Sequence, residues 1–292
     1  MVILYSQQEG SRSRGRAVFS CLKNNIPFHI SWKSSIFKKK NIISLTVFIT
    51  GATSGIGKAT AEFLAQHNYR LFLCGRNKEQ LQNLEKSLGK QTDVITLQFD
   101  VRNKKDVFNS IESLPESYRN IDVLINNAGN AHGLSYIQDG DTNDWDAMLD
   151  INVKGLLYVS RAILPKMIER NTGFIVNIGS TAGKEVYPNG NVYCASKSAV
   201  EAINKGMRMD LNQYNIRVSA IHPGLVETAF SDVRFKGDTE RAKKVYQGYK
   251  ALQPEDIAEI IHFVITRPYH INIEDLVVYP SAQVSATMIN KK

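Results

Sequence analysis

Tyr193 and Lys197, in the run Tyr193-Cys194-Ala195-Ser196-Lys197, stand four residues apart and share one face of a helix. A tyrosine phenol ionises near pH 10 and is a poor base at neutrality, but an ammonium beside it favours the phenolate. Lowering that pKa by about three units takes roughly 4 kcal/mol of differential stabilisation. The pair then has the makings of a general base that works near pH 7. Thirteen residues before Tyr193, the run Asn177-Ile178-Gly179-Ser180 ends on a hydroxyl that can hold a reacting oxygen. A Tyr and a Lys at this spacing occur in many helices by chance, so their meaning depends on what else the chain carries.

A second constellation is Thr50-Gly51-Ala52-Thr53-Ser54-Gly55-Ile56-Gly57, between an apolar run and a helical pattern. The glycines permit a tight turn, close approach of backbone to a pyrophosphate, and close seating of helix on strand. The helix N-terminus adds free N–H groups and roughly half a positive charge. The turn is therefore read as a dinucleotide site made by Gly51, Thr53, Ser54, Gly55, Ile56 and Gly57. About 20 residues on, a carboxylate would select a free ribose 2′-hydroxyl. The chain instead has Cys74-Gly75-Arg76-Asn77. Arg76 can fork onto a 2′-phosphate, with Asn77 beside it, and the cofactor expected is NADP(H).

These residues need a frame. From Leu45 onward, β-branched apolar runs alternate with amphipathic stretches, the pattern of βαβ units feeding a parallel sheet. Seven strands are expected, at Leu45 to Thr50, Tyr69 to Cys74, Val94 to Phe99, Ile121 to Asn126, Phe174 to Gly179, Ile216 to Ile221 and Leu276 to Tyr279. Helices are expected at Gly57 to His67, Lys78 to Leu88, Lys104 to Leu114, Trp145 to Arg170, Asn191 to Tyr214 and Pro254 to Thr266. The fold class is α/β, a single doubly wound Rossmann-type domain with helices on both faces of a seven-stranded parallel sheet. Leu225 to Ala251 has no strong period and reads as a lid. Its Arg234 and Lys236 offer cations to a substrate carboxylate.

Of 292 residues, 43% are hydrophobic and 22% charged, which excludes disordered, collagen-like and disulfide-rich classes. No run reaches the length of a membrane span. Three widely spaced cysteines, Cys21, Cys74 and Cys194, suit neither a metal cluster nor a disulfide framework, and suggest a reducing compartment. Residues 1–40 hold eight of the 36 Lys and Arg and one of the 28 acids, so they carry +7 of the net +8. The segment is read as a basic, unstructured extension, with an over-extended start or an organelle-targeting peptide as alternatives. Residues 41–292 are close to neutral and give no reason to expect nucleic acid.

The chain resembles the short-chain dehydrogenase/reductase family from about residue 45 to its end, on the glycine turn, Ser180, Tyr193 and Lys197. Further matches are Asn126-Asn127-Ala128-Gly129, Asp100-Val101, Asn152, and Pro223-Gly224-Leu225-Val226-Glu227-Thr228. The resemblance implies that Asp100 and Val101 meet the adenine, and that Asn127, Ala128 and Gly129 border the adenosine. It also implies that Pro223, Gly224, Val226 and Thr228 seat the nicotinamide carboxamide, that Lys197 bonds the nicotinamide ribose, and that Asn152 holds a water relaying protons to Lys197. The catalytic set is then Ser180, Tyr193, Lys197 and Asn152.

Segments Ile178 to Gly183, Tyr187 to Tyr193, Val233 to Gly237, Pro268 to Ile273 and Pro280 to Gln283 are similar to one branch, the NADP-dependent 3-hydroxy acid dehydrogenases. That branch implies a small 3-hydroxy acid substrate, such as L-serine, L-allo-threonine or 3-hydroxyisobutyrate, or malonic semialdehyde in reverse. It also implies a homotetramer in the cytoplasm, with no nucleic-acid or membrane partner. Gly179 stands where many family members have serine, as it does in this branch. A non-catalytic cofactor-binding regulator would be expected to lack Tyr193 or Lys197. A carrier-protein-dependent ketoacyl reductase would be expected to present a basic body. His222 and Cys194 are read as structural.

Overall fold

The computed structural model describes residues 45–292, together with a short antiparallel pair, Ala17–Phe19 with Phe28–Ile30. That pair belongs to a separate unit, residues 1–43. The rest of the basic extension expected over residues 1–40 lies outside the described residues.

The second unit is built on seven parallel strands: β1 (Thr46–Thr50), β2 (Arg70–Gly75), β3 (Val94–Gln98), β4 (Val123–Asn126), β5 (Gly173–Ile178), β6 (Ile216–Pro223) and β7 (Asp275–Val278). Their order is β3-β2-β1-β4-β5-β6-β7. The order reverses between β1 and β4, the switch point at which open α/β sheets bind ligands. All seven expected strands are present, with ends shifted by one or two residues.

Strand alternation divides the core in two. Val47, Ile49, Leu71, Leu73, Val123 and Ile125 face one side and pack with α1 (Gly55–Gln66), α2 (Lys78–Leu88) and α9 (Pro254–Ile265). Phe48, Phe72, Leu124 and Ile175 face the other, under α3 (Lys104–Glu112), α5 (Leu156–Glu169) and α6 (Asn191–Leu211). Leu64 of α1 is wholly buried, so truncating it to alanine costs about 2–5 kcal/mol. A buried polar ladder ties the second layer to the sheet. Asn126 Nδ2 donates to Asn177 Oδ1 and Ser160 Oγ, both at 2.9 Å, and Asn177 Nδ2 donates to Asn204 Oδ1 at 2.9 Å.

Two stretches differ from the sequence expectation. The single helix expected over Trp145 to Arg170 is α4 (Thr142–Leu149), a π-helical turn at Asp150–Gly155, then α5. One extra residue per turn re-aims Asn152 without breaking the rod, and such bulges gather at functional sites. The lid contains two short helices, α7 (Phe230–Arg234) and α8 (Thr239–Val245), the second capped by Asp238, whose side chain accepts from Arg241 N. Among the described residues, no helix is long and apolar enough to cross a membrane.

Candidate active site

The carboxyl ends of β1, β2, β4, β5 and β6 open into a cavity of about 710 Å³. At one end lies the glycine turn. Gly51 and Gly55 have φ of +65° and +52°, a region closed to most side chains. A Cβ on Gly57 would sit 2.3 Å from Gly51 O, so this glycine serves the close packing of helix on strand, and it does not line the cavity. Asn127 Nδ2 donates to Thr50 O (2.9 Å) and Gly51 O (3.1 Å), while Thr50 Oγ1 accepts from the amides of Asn127 (3.0 Å) and Ala128 (2.9 Å). The loop after β4 thus pins the turn. Ser54 precedes α1 without a capping side-chain bond, and the first turn holds no acid. Those N–H groups stay available to an anion, the arrangement a pyrophosphate uses. Thr53, Ser54, Gly55 and Ile56 all line the cavity here.

Arg76 follows β2 and lines the same end. Asn77 does not line it; its Oδ1 accepts from Gln80 N at 3.0 Å and caps α2. Asp100 and Val101 line the adjoining wall. Arg102, which sequence reasoning passed over, lies there too and grips Asp100 Oδ2 with Nη2 at 2.7 Å and Nε at 3.0 Å. Burial raises the Asp100 carboxyl, but the Arg102 bonds and the charge of Arg76 more than offset it and hold it below the usual range. The signal was present in the sequence, as a cation directly after Asp100-Val101 at a strand end.

In the middle of the cavity Ser180, Tyr193 and Lys197 come together, with Gly129 beside them. Ser180 caps the short turn after β5, its Oγ accepting from Ala182 N at 3.1 Å, which leaves its proton free to donate. Tyr193 and Lys197 open α6 on one face and are both buried. Burial pushes the Tyr193 phenol up and Tyr187 adds to that, against a hydrogen bond from Ser180 and the charge of Arg234. Burial also pushes Lys197 down, to about 8. Lys197 Nζ donates to Ile178 O at 3.0 Å. Burial therefore disfavours the charged form of both members, and Lys197 does not by itself make the phenolate. Further positive charge is required for that.

Asn152 is buried outside the cavity wall. Its Nδ2 donates to Asn130 O and Ser196 Oγ, and its Oδ1 accepts from Asn130 N, all at 2.9 Å. Ser196 Oγ in turn donates to Tyr193 O at 2.7 Å. The carboxamide thus holds the loop after β4 against the start of α6, and its amide is fully engaged.

Pro223, Gly224, Val226 and Thr228 line the cavity past β6. Gln283 supports them from the C-terminal segment, accepting from Leu225 N at 2.9 Å. The lid supplies Arg234, which lines the cavity, with Cζ 5.5 Å from the ring centres of both Tyr187 and Tyr193. Arg234 Nε donates to Gly133 O (3.3 Å), and Gly133 N donates to Arg234 O (2.9 Å). Lys236, expected beside Arg234 at the substrate, is not among the residues that line the cavity. It lies outside the cavity wall, 3.0 Å from Asp144 Oδ2 and 3.6 Å from Asp141 Oδ2, where it fastens the lid to α4. His132, also missed, lines the cavity, its Nε2 2.7 Å from Asn130 Nδ2.

Known proteins are similar to this chain in sequence and fold. The model of the short chain dehydrogenase family matches residues 45–238. The NADP-dependent 3-hydroxy acid dehydrogenase YdfG of Salmonella typhi is 46% identical over 240 residues, 82% of this chain and 96% of that protein. The NADP-dependent 3-hydroxy acid dehydrogenase of Schizosaccharomyces pombe is 42% identical over 250 residues, 85% of this chain and 96% of that protein. Among solved structures, the closed form of serine dehydrogenase complexed with NADP+ gives a TM-score of 0.80 at 44% identity, covering 84% of this chain and 98% of the other. Serine dehydrogenase from Escherichia coli gives 0.72 at 39% identity, covering 82% and 100%. With its family-wide match and these relatives along most of its length, the chain belongs to the short chain dehydrogenase family.

Proposed function

We propose that the protein is an NADP-dependent 3-hydroxy acid dehydrogenase. The observation that carries the substrate class is Arg234, a lid guanidinium that lines the same cavity as Ser180, Tyr193 and Lys197 and stands 5.5 Å from the Tyr193 ring centre. A guanidinium at the wall of such a site suits a carboxylate, which takes its forked hydrogen bonds. The relatives' names point the same way.

The residues present fit the dinucleotide. The turn of positive-φ glycines and the uncapped start of α1 suit a pyrophosphate, and Arg76 suits a 2′-phosphate. When bound, NADP+ supplies the hydride acceptor at nicotinamide C4. Ser180 Oγ donates to the substrate oxygen and orients the hydroxyl. Tyr193 takes the hydroxyl proton as the carbonyl forms, and returns it in the reverse direction. Lys197 stabilises the phenolate electrostatically and holds the nicotinamide ribose. Asn152 positions the loop and helix that carry these groups. Arg234 fixes the carboxylate and so sets which carbon faces the hydride acceptor.

The test is nicotinamide reduction by the full-length protein with NADP+ and 3-hydroxy acids, simple secondary alcohols and 3-hydroxyacyl thioesters. Turnover of L-serine or L-allo-threonine that vanishes in Tyr193→Phe supports the proposal, and turnover of thioesters alone refutes the carboxylate reading. The branch resemblance also supports a homotetramer in the cytoplasm, to be checked by light scattering and by localising the tagged chain.

A further inference from the structure

His222 closes β6 immediately before Pro223, and its ring is wholly buried. It fills the space that a side chain at residue 179 would take: a Cβ on Gly179 would meet His222 Nδ1 at 2.4 Å and Cε1 at 2.7 Å. The ring thus lies against the backbone that presents Ser180, with Nδ1 3.4 Å from the Ser180 carbonyl oxygen. On its other side Nε2 is 3.3 Å from Asp275 Oδ1 of β7, and among the described residues no group meets it in hydrogen-bond geometry.

Asp275 also reaches the far end of the same turn. Ser180 begins the short helical turn Thr181–Gly183, and Lys184 ends it. Lys184 Nζ pairs with Asp275 Oδ2 and lies 3.0 Å from Glu201 Oε1 of α6, which is 2.6 Å from Lys205 Nζ. One carboxylate on the edge strand therefore bears on both ends of the Ser180–Lys184 turn, through the imidazole at the start and an ion pair at the finish. The charged groups facing His222 are Asp275, Lys184 and Glu201.

The geometry points to His222 and Asp275 as positioning residues for Ser180: a clamp, built across the ends of β5, β6 and β7, that fixes where the serine hydroxyl meets the substrate oxygen. The inference rests on the proposed dehydrogenase reading. It explains why Gly179 goes with His222, since any side chain at 179 would evict the ring. With a proton on Nδ1 the imidazole donates to the Ser180 carbonyl, and it pairs with Asp275 through Nε2 only when both ring nitrogens are protonated. A shift of a fraction of an ångström in the serine hydroxyl weakens its bond to the substrate oxygen while leaving the dinucleotide cradle at Gly51 to Gly57 untouched.

The test is a mutant cycle in the full-length protein, with His222→Gln and Ser180→Ala made singly and together. Turnover of L-serine with NADP+ gives kcat and KM, and NADP+ affinity is measured separately without substrate. His222→Gln, which moves the amide away from the Nδ1 position, is expected to lower kcat about tenfold while NADP+ affinity stays within about twofold. It is expected to add no further loss in the Ser180→Ala background. His222→Asn can place an N–H close to the Nδ1 position and is expected to recover most of kcat. Full activity in His222→Gln, losses that add across the cycle, or NADP+ affinity falling in step with kcat would each overturn the clamp. If the parent protein turns over no 3-hydroxy acid, the functional reading fails instead. The clamp is then decided by nitrogen NMR of ¹⁵N-histidine-labelled protein, with His222→Asn assigning the signal. A proton on His222 Nδ1 supports it, and a bare Nδ1 overturns it.

Discussion

Replacing Arg234 by methionine keeps the length of the side chain and removes the guanidinium from the cavity. Nε is already engaged with Gly133 O, so a ligand would be met by the remaining guanidinium N–H groups. One hydrogen bond to a charged group is worth about 1.5–3 kcal/mol. If that bond goes to the substrate carboxylate, kcat/KM for a 3-hydroxy acid falls about 10- to 150-fold. A simple secondary alcohol makes no such bond, and its kcat/KM changes by less than about threefold. Arg234→Lys restores charge but not the forked geometry, so it recovers only part of the loss. The assay is steady-state NADP+ reduction with both substrates for the parent and the two variants. Equal losses with the acid and the alcohol would refute the reasoning. They would show that Arg234 acts through its clasp with Gly133, as a latch on the lid, and not through the carboxylate.

Arg76→Asp removes the cation at the end of β2 and sets a carboxylate there, so NADP+ affinity should fall about 10- to 150-fold while NAD+ affinity rises. Equilibrium titration with both cofactors checks this, and unchanged NADP+ affinity counts against the 2′-phosphate contact. Lys236→Ala, which breaks an exposed link to Asp144 and Asp141 outside the cavity, should change kcat/KM by no more than about twofold. A loss comparable with that of Arg234→Met would return Lys236 to the substrate site. Lys197 has a folded pKa of about 8, below its ordinary 10.5, so between those values the unfolded chain binds more protons and stability rises with pH. Below about pH 8 the folded protein bears the whole penalty of the buried ammonium, roughly 3 kcal/mol. Lys197→Met should therefore be inactive yet more resistant to urea at neutral pH, with the advantage shrinking as pH rises through that window. An advantage that is the same at every pH would mean that it does not come from the buried charge.

The sheet was legible because each strand is a short β-branched run with its own turn signals, and because β1 and β2 are buried on both faces, so no register choice can hide them. The site's chemistry was legible for a related reason. Ser180, Tyr193 and Lys197 lie within one strand-turn-helix segment, where spacing along the chain fixes their neighbourhood. The π turn at Asp150–Gly155 was not legible, since one extra residue in a helical register leaves the apolar period almost intact. The lid helices were invisible too. α7 buries only Ser231 and α8 only Ala242, so neither writes an amphipathic stripe. Nor does composition separate Arg234 from Lys236. Both are cations two residues apart on the lid, and only the positions of Gly133, Asp141 and Asp144 send one into the cavity and the other to its rim.

Chemistry and recognition occupy parts of the molecule that differ in how firmly they are held. Three successive residues at the end of β5 build the candidate site in different ways: Ile178 O receives Lys197, Gly179 makes room for His222, and Ser180 carries the hydroxyl. β5 lies between β4 and β6 and is buried along its whole length, so its carbonyls and turn move only with the sheet. Arg234 sits on a lid whose helices bury one residue each, joined to the body by the Gly133 clasp and the Lys236 pairs. Elements with so little buried area open at a lower free energy than the sheet beneath them. The lid holds the Arg234 guanidinium 5.5 Å from the centre of the Tyr193 ring, on an element separate from the strand and helix that carry Ser180, Tyr193 and Lys197. A change of residue on the lid can accordingly alter which acid is held while the proton-transfer groups stay as they are.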